Sequence, residues 1–337
     1  MNNPLTRLVP WWRRPTVCLD AGSTRVRVGV QSRLVYDQAA CLVRHRQSRA
    51  VLRVGDHAEE LTQPGRQLER LRPIRRGVVA DPEGAGQLLE SVFDEVLTSQ
   101  RVRSWRGVNG YCAVPAAATQ LEQVVMIDVL HRLGIGQWRL ISADRVLAAA
   151  ITAHPETKQA GWITDIGAEK SEVVFLTGPE LTSQTVPVGF ATFIDQVRSQ
   201  LRDQYHCQVS WETAHDLTLR LMHQDALEPD QVTFKQAVRG KDVATSLPRT
   251  VTVKGADLVG PLKVLMRELF DDVQLLFARL STKDLTDGLE RGLVVTGGGQ
   301  FRAWGGFIQQ QLDCRVTLSP GHRHDLVSGL CFLAEAG

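Results

Sequence analysis

No stretch of this sequence approaches the roughly 20 consecutive apolar residues that a membrane-spanning helix needs. The N-terminus lacks the apolar centre of a secretory signal. There is no Cys-x-x-Cys pair. The six cysteines (Cys18, Cys41, Cys112, Cys207, Cys314 and Cys331) are scattered, which excludes a disulfide scaffold. Cys18, Cys112 and Cys331 lie inside apolar runs and read as small buried hydrophobes, which suits a reducing compartment. Charge of one sign is also missing. With 39 Lys and Arg against 37 Asp and Glu the net charge is +2, and no basic stripe marks a nucleic-acid partner. Arginines are dense between Arg44 and Arg76, but Asp56, Glu59, Glu60 and Glu69 break the run into a mixed, solvated face. An apolar fraction of 43% and a charged fraction of 23% exclude a disordered tail, a collagen and a polytopic membrane protein.

What is present is a chain of 337 residues, long enough for two domains or one bilobed unit with a large core. Its first residues read MNNPLTRLVPWWRR. Leu8, Trp11 and Trp12, with Leu5 and Val9, supply apolar and aromatic groups, and Arg7, Arg13 and Arg14 supply positive charge. Indole rings favour the headgroup level and cations favour anionic lipid. Pro4 and Pro10 leave little room for a regular helix. Residues 1–15 are therefore read either as a surface anchor or as a leader with its tryptophans against the body.

Three motifs punctuate the rest. Thr16 to Asp20 is a short apolar strand, Ala21-Gly22-Ser23-Thr24 a tight turn, and Val26 to Val30 a second strand. Alone this is a hairpin with small residues at its tip, although small residues also let backbone N–H groups approach a phosphate. Gly161 to Ile166, then Gly167, then Glu172 to Leu176 repeats the pattern around Asp165, which suggests an internal duplication. Leu293 to Thr296 then runs into Gly297-Gly298-Gly299 ahead of a helix near Phe301. Three glycines in succession are unfavourable unless backbone passes close to something. A nucleotide is one candidate, and a sharp strand-to-helix turn is the other.

Helix signals fill the gaps. Asp81-Pro82-Glu83 is a start signal before Leu88, Leu89, Val92, Phe93, Val96 and Leu97. Thr119 and Glu122 form a capping box before Val124, Val125 and Val129, with Gly134 past the end and a strand at Trp138 to Ile141. Pro261 to Leu280 carries the clearest apolar stripe. Strands alternating with such helices predict an α/β fold.

Taken in order, Asp-x-Gly-Ser-Thr, Asp-Ile-Gly and Thr-Gly-Gly-Gly resemble the superfamily of actins, sugar kinases and chaperone ATPases. Within it the chain is similar to MreB, the bacterial actins that organise wall synthesis. The resemblance extends to Val54-Gly55-Asp56-His57-Ala58, to Arg72-Pro73-Ile74-Arg75-Arg76-Gly77-Val78-Val79-Ala80-Asp81, and to Val114-Pro115 with Ala118-Thr119-Gln120-Leu121-Glu122. It also takes in Ala148-Ala149-Ala150-Ile151, and Val238-Arg239-Gly240-Lys241 with Leu247-Pro248-Arg249. It covers about residues 16–335. It implies an actin-like fold, a duplicated ribonuclease H-like arrangement with two lobes and four subdomains around a nucleotide cleft. The lobes would be 16–155, with a small subdomain at about 34–79, and 156–337, with one at about 187–254. It also implies ATP and Mg2+. Asp20, Gly22, Ser23 and Thr24 would face phosphates and the Mg2+ shell, with Asp165 and Gly167 opposite. Gly297, Gly298 and Gly299 would approach the nucleotide. Asp20 and Asp165 would reach Mg2+ through water, since the ion prefers oxygen ligands. The partners implied are further copies in a filament, a second MreB, the inner face of the cytoplasmic membrane, and cell-wall or other membrane assembly proteins.

The chain departs from that family where chemistry is done. The second phosphate loop, usually D-I-G-G-G-T-T-E, reads Asp165-Ile166-Gly167-Ala168-Glu169-Lys170-Ser171-Glu172. Lys170 would bind phosphate as a point charge or pair with Glu169 on a plain surface hairpin. The E-P pair that positions the attacking water is replaced by Arg145 and Val146. Arginine has no acceptor, which leaves Asp144 as the candidate base. The family's G-G-D-x-F-D becomes Gly189-Phe190-Ala191-Thr192-Phe193, and its E-R-I-K becomes His215-Asp216-Leu217-Thr218. The expectations are an ATP-binding, filament-forming actin with at most weak ATPase activity, or a pseudo-ATPase scaffold of the same fold. A small-molecule kinase would need a catalytic Asp and larger insertions that the sequence does not place.

Overall fold

The computed structural model describes residues 16–336 apart from 62–64, 101–104, 106, 178–179, 226 and 300. Leu8, Trp11 and Trp12 lie outside the described residues. The chain forms two compact units, one running to His154 and resuming at His324, the other from Pro155 to Arg323.

In the first unit five strands form a sheet: β1 (Thr16–Ala21), β2 (Arg25–Val30), β3 (Arg33–Ala39), β4 (Asn109–Val114) and β5 (Gln137–Ser142), in the order β5-β4-β1-β2-β3. The hairpin pairs β1–β2 and β2–β3 are antiparallel, whereas β1–β4 and β4–β5 are parallel. Alternation along each strand sends Val17, Leu19, Val26 and Val28 to one face. There they meet Leu88, Leu89, Val92, Phe93 and Val96 of α1 (Pro82–Ser99) and Met126, Val129 and Leu130 of α2 (Gln120–His131). Both helix starts match their sequence signals. Asp81 accepts from the Gly84 N–H at 3.1 Å, and the Thr119–Glu122 capping box is closed in both directions. Val124 is the exception on its predicted face. It stands exposed while Met126 and Leu130 are buried.

The opposite face of the same sheet carries Cys18, Tyr111 and Ala113 against Val146 of α3 (Ala143–Ala153) and Val327, Leu330 and Cys331 of the C-terminal helix Asp325–Ala336. The division of the sequence at 155/156 runs the second lobe to the chain end, but this last helix packs on the first unit. Its apolar stripe fills the face of β1 and β4 that α1 and α2 leave open. Gly329 makes the approach possible: a Cβ there would come within 2.2 Å of the Val146 carbonyl oxygen on α3.

The second unit repeats the design. Its sheet comprises β6 (Trp162–Ile166), β7 (Ser171–Phe175), β8 (Thr182–Val186), β9 (Leu293–Thr296) and β10 (Val316–Leu318), in the order β8-β7-β6-β9-β10. Again the hairpin pairs are antiparallel and the crossover pairs parallel. The duplication read from two Asp-x-Gly hairpins is thus a duplication of the whole sheet. Its core joins Trp162, Val173 and Phe175 to α4 (Phe190–Tyr205), α5 (Trp211–Met222) and α6 (Ala256–Phe277). Helix α6 starts five residues before the predicted Pro261. Buried Leu258 and Val259 anchor its first turn, and this packing outweighs the one backbone bond that proline removes. Each unit also carries a small three-stranded sheet: Val51–Val54, Leu42–His45 and Leu68–Leu71 in the first, Cys207–Gln208, Lys235–Asp242 and Pro248–Lys254 in the second.

All six cysteines are free and buried. No helix among the described residues is long and apolar enough to cross a membrane.

Candidate functional site

Chain direction gathers the candidate residues. In a sheet with parallel strands, loops that follow the carboxyl ends collect on one edge, where ligands of α/β proteins usually sit. In the first unit Asp20 is near the end of β1, and Asp144 follows the end of β5 in the first turn of α3. In the second unit Asp165 is near the end of β6, and Gly297, Gly298 and Gly299 follow β9.

The first hairpin closes with the Gly22 N–H donating to the Arg25 carbonyl at 3.0 Å. Ser23 accepts from the Gly77 N–H at 3.3 Å, and the Thr24 carbonyl accepts from the Ala40 N–H at 2.8 Å. The register that follows puts Arg27 of β2 opposite Asp20 and Asp37 of β3 opposite Arg27. The three side chains form one rung across the sheet. Arg27 Nη1 stands 2.8 Å from Asp20 Oδ2, with the side chains 11% and 7% exposed, and Arg27 Nε stands 3.4 Å from Asp37 Oδ1. Arg25 and His324 also bind Asp37. Burial opposes the ionisation of Asp37, but the hydrogen bond from Arg25, the charges of Arg27 and Arg25, and His324 outweigh it. Its carboxyl is held below the ordinary value.

The equivalent rung of the second hairpin is Asp165, Glu172 and Thr185. Glu172 is almost fully buried and accepts from the Thr185 hydroxyl at 2.7 Å. Lys170 pairs with this Glu172. The turn itself leans on α4, whose first N–H groups are taken: Phe190 donates to the Gly167 carbonyl at 3.0 Å and Ala191 to the Ala168 carbonyl at 2.8 Å.

The glycine turn divides by function. Gly297 sits at φ +91°, and a Cβ there would come within 2.3 Å of Asp165 Oδ1 and 2.5 Å of the Ile166 carbonyl. Gly299 donates to the same carbonyl at 2.8 Å. Both glycines are thus explained by packing on the Asp165 hairpin. Gly298 is different: it is exposed, with nothing within 4 Å of its Cβ position.

Two departures from the family pattern touch one another. The Phe190 ring meets Phe301 at 4.7 Å and His215 at 5.5 Å, and Trp211 stacks on His215 at 4.9 Å. An aromatic row therefore runs from Trp211, 41% exposed, to Phe301 just beyond the glycine turn. The sequence reading missed Trp211, Arg27 and Asp37. The spacing of Trp211 and His215, four apart on one helix, was the available signal.

Asp144 turns inward to its own helix. Its Oδ1 accepts from the Ser142 hydroxyl and from the Arg145 N–H at 2.8 Å. These bonds engage one of its two carboxylate oxygens within the first turn of α3. Asp20 does not fit the Mg2+ shell that the resemblance implies, because its carboxylate already faces a buried guanidinium. At the glycine turn Gly298 keeps an open side, and Phe301, the inner end of the aromatic row, lies against Gly299.

A family model described as MreB/Mbl protein matches residues 14–335. Among curated proteins, the cell shape-determining protein Mbl of Bacillus subtilis (strain 168) is 23% identical over 287 residues, covering 83% of this chain and 84% of Mbl. The cell shape-determining protein MreB of Escherichia coli (strain K12) is 25% identical over 292 residues, covering 83% and 82%. Among solved structures, MreB5 of Spiroplasma citri bound to AMPPNP superposes with a TM-score of 0.83 at 19% identity, over 94% of this chain and 95% of the other. The MamK double helical filament gives 0.76 at 17% identity, over 96% and 99%. The α/β, actin-like fold that the resemblance implies is the fold of this chain. With duplicated sheets, motif loops on their carboxyl edges and a family match over nearly its whole length, the chain belongs to the MreB/Mbl family.

Proposed function

We propose that this chain is a bacterial cytoskeletal actin that binds ATP, assembles into filaments on the inner face of the cytoplasmic membrane and helps organise cell shape and wall synthesis. Its relatives are cell shape-determining proteins, and neighbours in fold include one bound to AMPPNP, the same MreB5 bound to ADP, and a double helical filament. The observation that carries the nucleotide part is the glycine turn. Gly297 and Gly299 seal against Asp165 and Ile166, while Gly298 leaves backbone open beside a row of aromatic rings. Trp211 and Phe190, rings of that row that are not fully buried, offer stacking area to a base, and ATP would bring its phosphates to the Asp165 hairpin. Hydrolysis is slow in this reading. One oxygen of Asp144 is held by Ser142 and the Arg145 N–H, Arg145 cannot accept a proton, and the first N–H groups of α4 are spent on the hairpin.

The test is calorimetric titration of the purified chain with ATP and with ADP, alongside Gly298→Val. A Cβ there has nothing within 4 Å, so melting should stay unchanged while nucleotide binding is lost. Equal binding by the variant sinks the glycine-turn site. A second reading, a nucleotide-independent scaffold of actin fold, is favoured by the neutralised Asp20 and Lys170. Filaments that pellet equally with and without nucleotide, in a chain that binds none at millimolar concentration, would establish it.

A further inference from the structure

We propose that Cys18 and Cys331 form a redox-active dithiol, which a hydroperoxide converts to a disulfide that staples the C-terminal helix Asp325–Ala336 to β1. The site lies wholly within the first unit and is independent of the nucleotide reading.

Register places the pair. Cys18 of β1 and Gly29 of β2 are direct cross-strand partners, so their side-chain positions point to the same face and stand about 5 Å apart. Gly29 has no side chain, and the Cys331 sulfur fills the space this leaves: a Cβ on Gly29 would come within 2.7 Å of Cys331 Sγ. The helix thus lowers one thiol into a notch beside the other, and the Cys18 thiol donates to Cys331. A second donor, the Ser32 N–H, reaches the same sulfur from the turn between β2 and β3, where Gln31 and Ser32 both adopt left-handed backbone. Cys112 of β4 packs on the opposite face of the sheet and is no competing partner.

Two donors on one sulfur decide the roles. The thiolate is the nucleophile, and hydrogen bonds to it favour it. At Cys331 the bond from Cys18, with the Ser32 N–H, outweighs burial and the Glu335 charge and holds the thiol below its ordinary value. At Cys18 the bond to Cys331, burial and the neighbouring charges keep the proton on. Cys331 therefore attacks first and Cys18 resolves. Cys331 also lies near the surface. Ser32 and Glu335, which hydrogen-bond to one another, are both exposed, so a molecule as small as a peroxide has a short approach.

In the first step the Cys331 thiolate attacks one peroxide oxygen and the O–O bond breaks. Cys331 becomes a sulfenic acid, and the other oxygen leaves and takes up a proton. In the second step the Cys18 sulfur attacks the Cys331 sulfur and the S–S bond forms. The sulfenic hydroxyl leaves with the Cys18 proton as water. Two thiols are oxidised, and one hydroperoxide is reduced to an alcohol and water, or to two waters from hydrogen peroxide.

The experiment exposes the native full chain to a small excess of hydrogen peroxide, alkylates the remaining thiols after denaturation, and maps the non-reduced digest by mass spectrometry. The expected product is a peptide pair joining Cys18 to Cys331, lost on treatment with dithiothreitol, with Cys41, Cys112, Cys207 and Cys314 alkylated as free thiols. In Cys18→Ala the oxidation should stop at a Cys331 sulfenic acid that dimedone traps, and in Cys331→Ala the Cys18 thiol should stay free. Circular dichroism shows whether the variants fold, and the wild-type map stands without them. Cys18 and Cys331 recovered as free thiols after peroxide, or oxidation spread evenly over all six cysteines, overturns the inference.

Discussion

At the scale of single residues, the glycine turn makes the sharpest claim. Gly297→Ala forces a left-handed backbone on alanine and drives a methyl into Asp165 and Ile166. Backbone strain and overpacking each cost about 1–3 kcal/mol. Gly298→Ala, on open backbone, should stay within about 0.5 kcal/mol of wild type. Chemical denaturation of the two variants checks the contrast. Asp37 makes a second prediction, about pH. Its folded carboxyl titrates below its ordinary value, so its ion pairs stabilise the fold above that value and the contribution fades as pH falls through the folded one. The stability gap between wild type and Asp37→Asn should therefore narrow as pH falls from neutrality to below the ordinary value of 3.8. Urea midpoints across that range measure it, and a gap that widens on acidification refutes the assignment. The positions of Asp20, Asp165 and the glycines were legible because strand, turn and strand follow one another directly. The partners of Asp20 and Lys170 were not read, because pairing depends on register. With the hairpin closed at Gly22 and Arg25, counting outward does place residue 27 opposite residue 20. Thr185, on a third strand, could not be found by counting from the hairpin.

At the scale of elements, what the sequence announced locally was realised. Asp81 and Thr119 cap α1 and α2 through side-chain oxygens, as their composition predicts. Thr119→Ala removes the hydroxyl that accepts from the Glu122 N–H, while the Thr119 N–H keeps its bond to Glu122, and should cost about 1 kcal/mol, read as a lower denaturation midpoint. The neighbouring Leu121→Lys, at a side chain 72% exposed, should leave stability within about 0.5 kcal/mol. Elements set by distant partners were harder to read. The start of α6 lies upstream of Pro261 because Leu258 and Val259 are buried by the rest of the second unit. The C-terminal helix belongs to the first unit because β1 and β4 present an open apolar face to it. Neither fact has a signature within its own segment, since periodicity tells which face is apolar and not what covers it.

At the scale of the whole molecule, membrane binding and assembly have to be argued together. Residues 1–15 are the proposed anchor, and their few apolar and basic groups give a single chain only marginal affinity for lipid. A filament presents many such leaders along one line, and linking weak sites raises the overall affinity by about 10²–10⁴ without any new contact. The expected outcome is cosedimentation with anionic vesicles that appears only above the concentration at which the chain assembles. Removing residues 1–15 should abolish it while leaving assembly in solution unchanged. Replacing Trp11 and Trp12 with alanine should weaken it, because the indoles supply the interfacial part of each weak contact. Vesicle binding that survives the deletion would move the anchor to the body of the protein. The exposed apolar side chains Leu247 and Val243, in the loop joining Lys235–Asp242 to Pro248–Lys254, would then be the first to change to lysine.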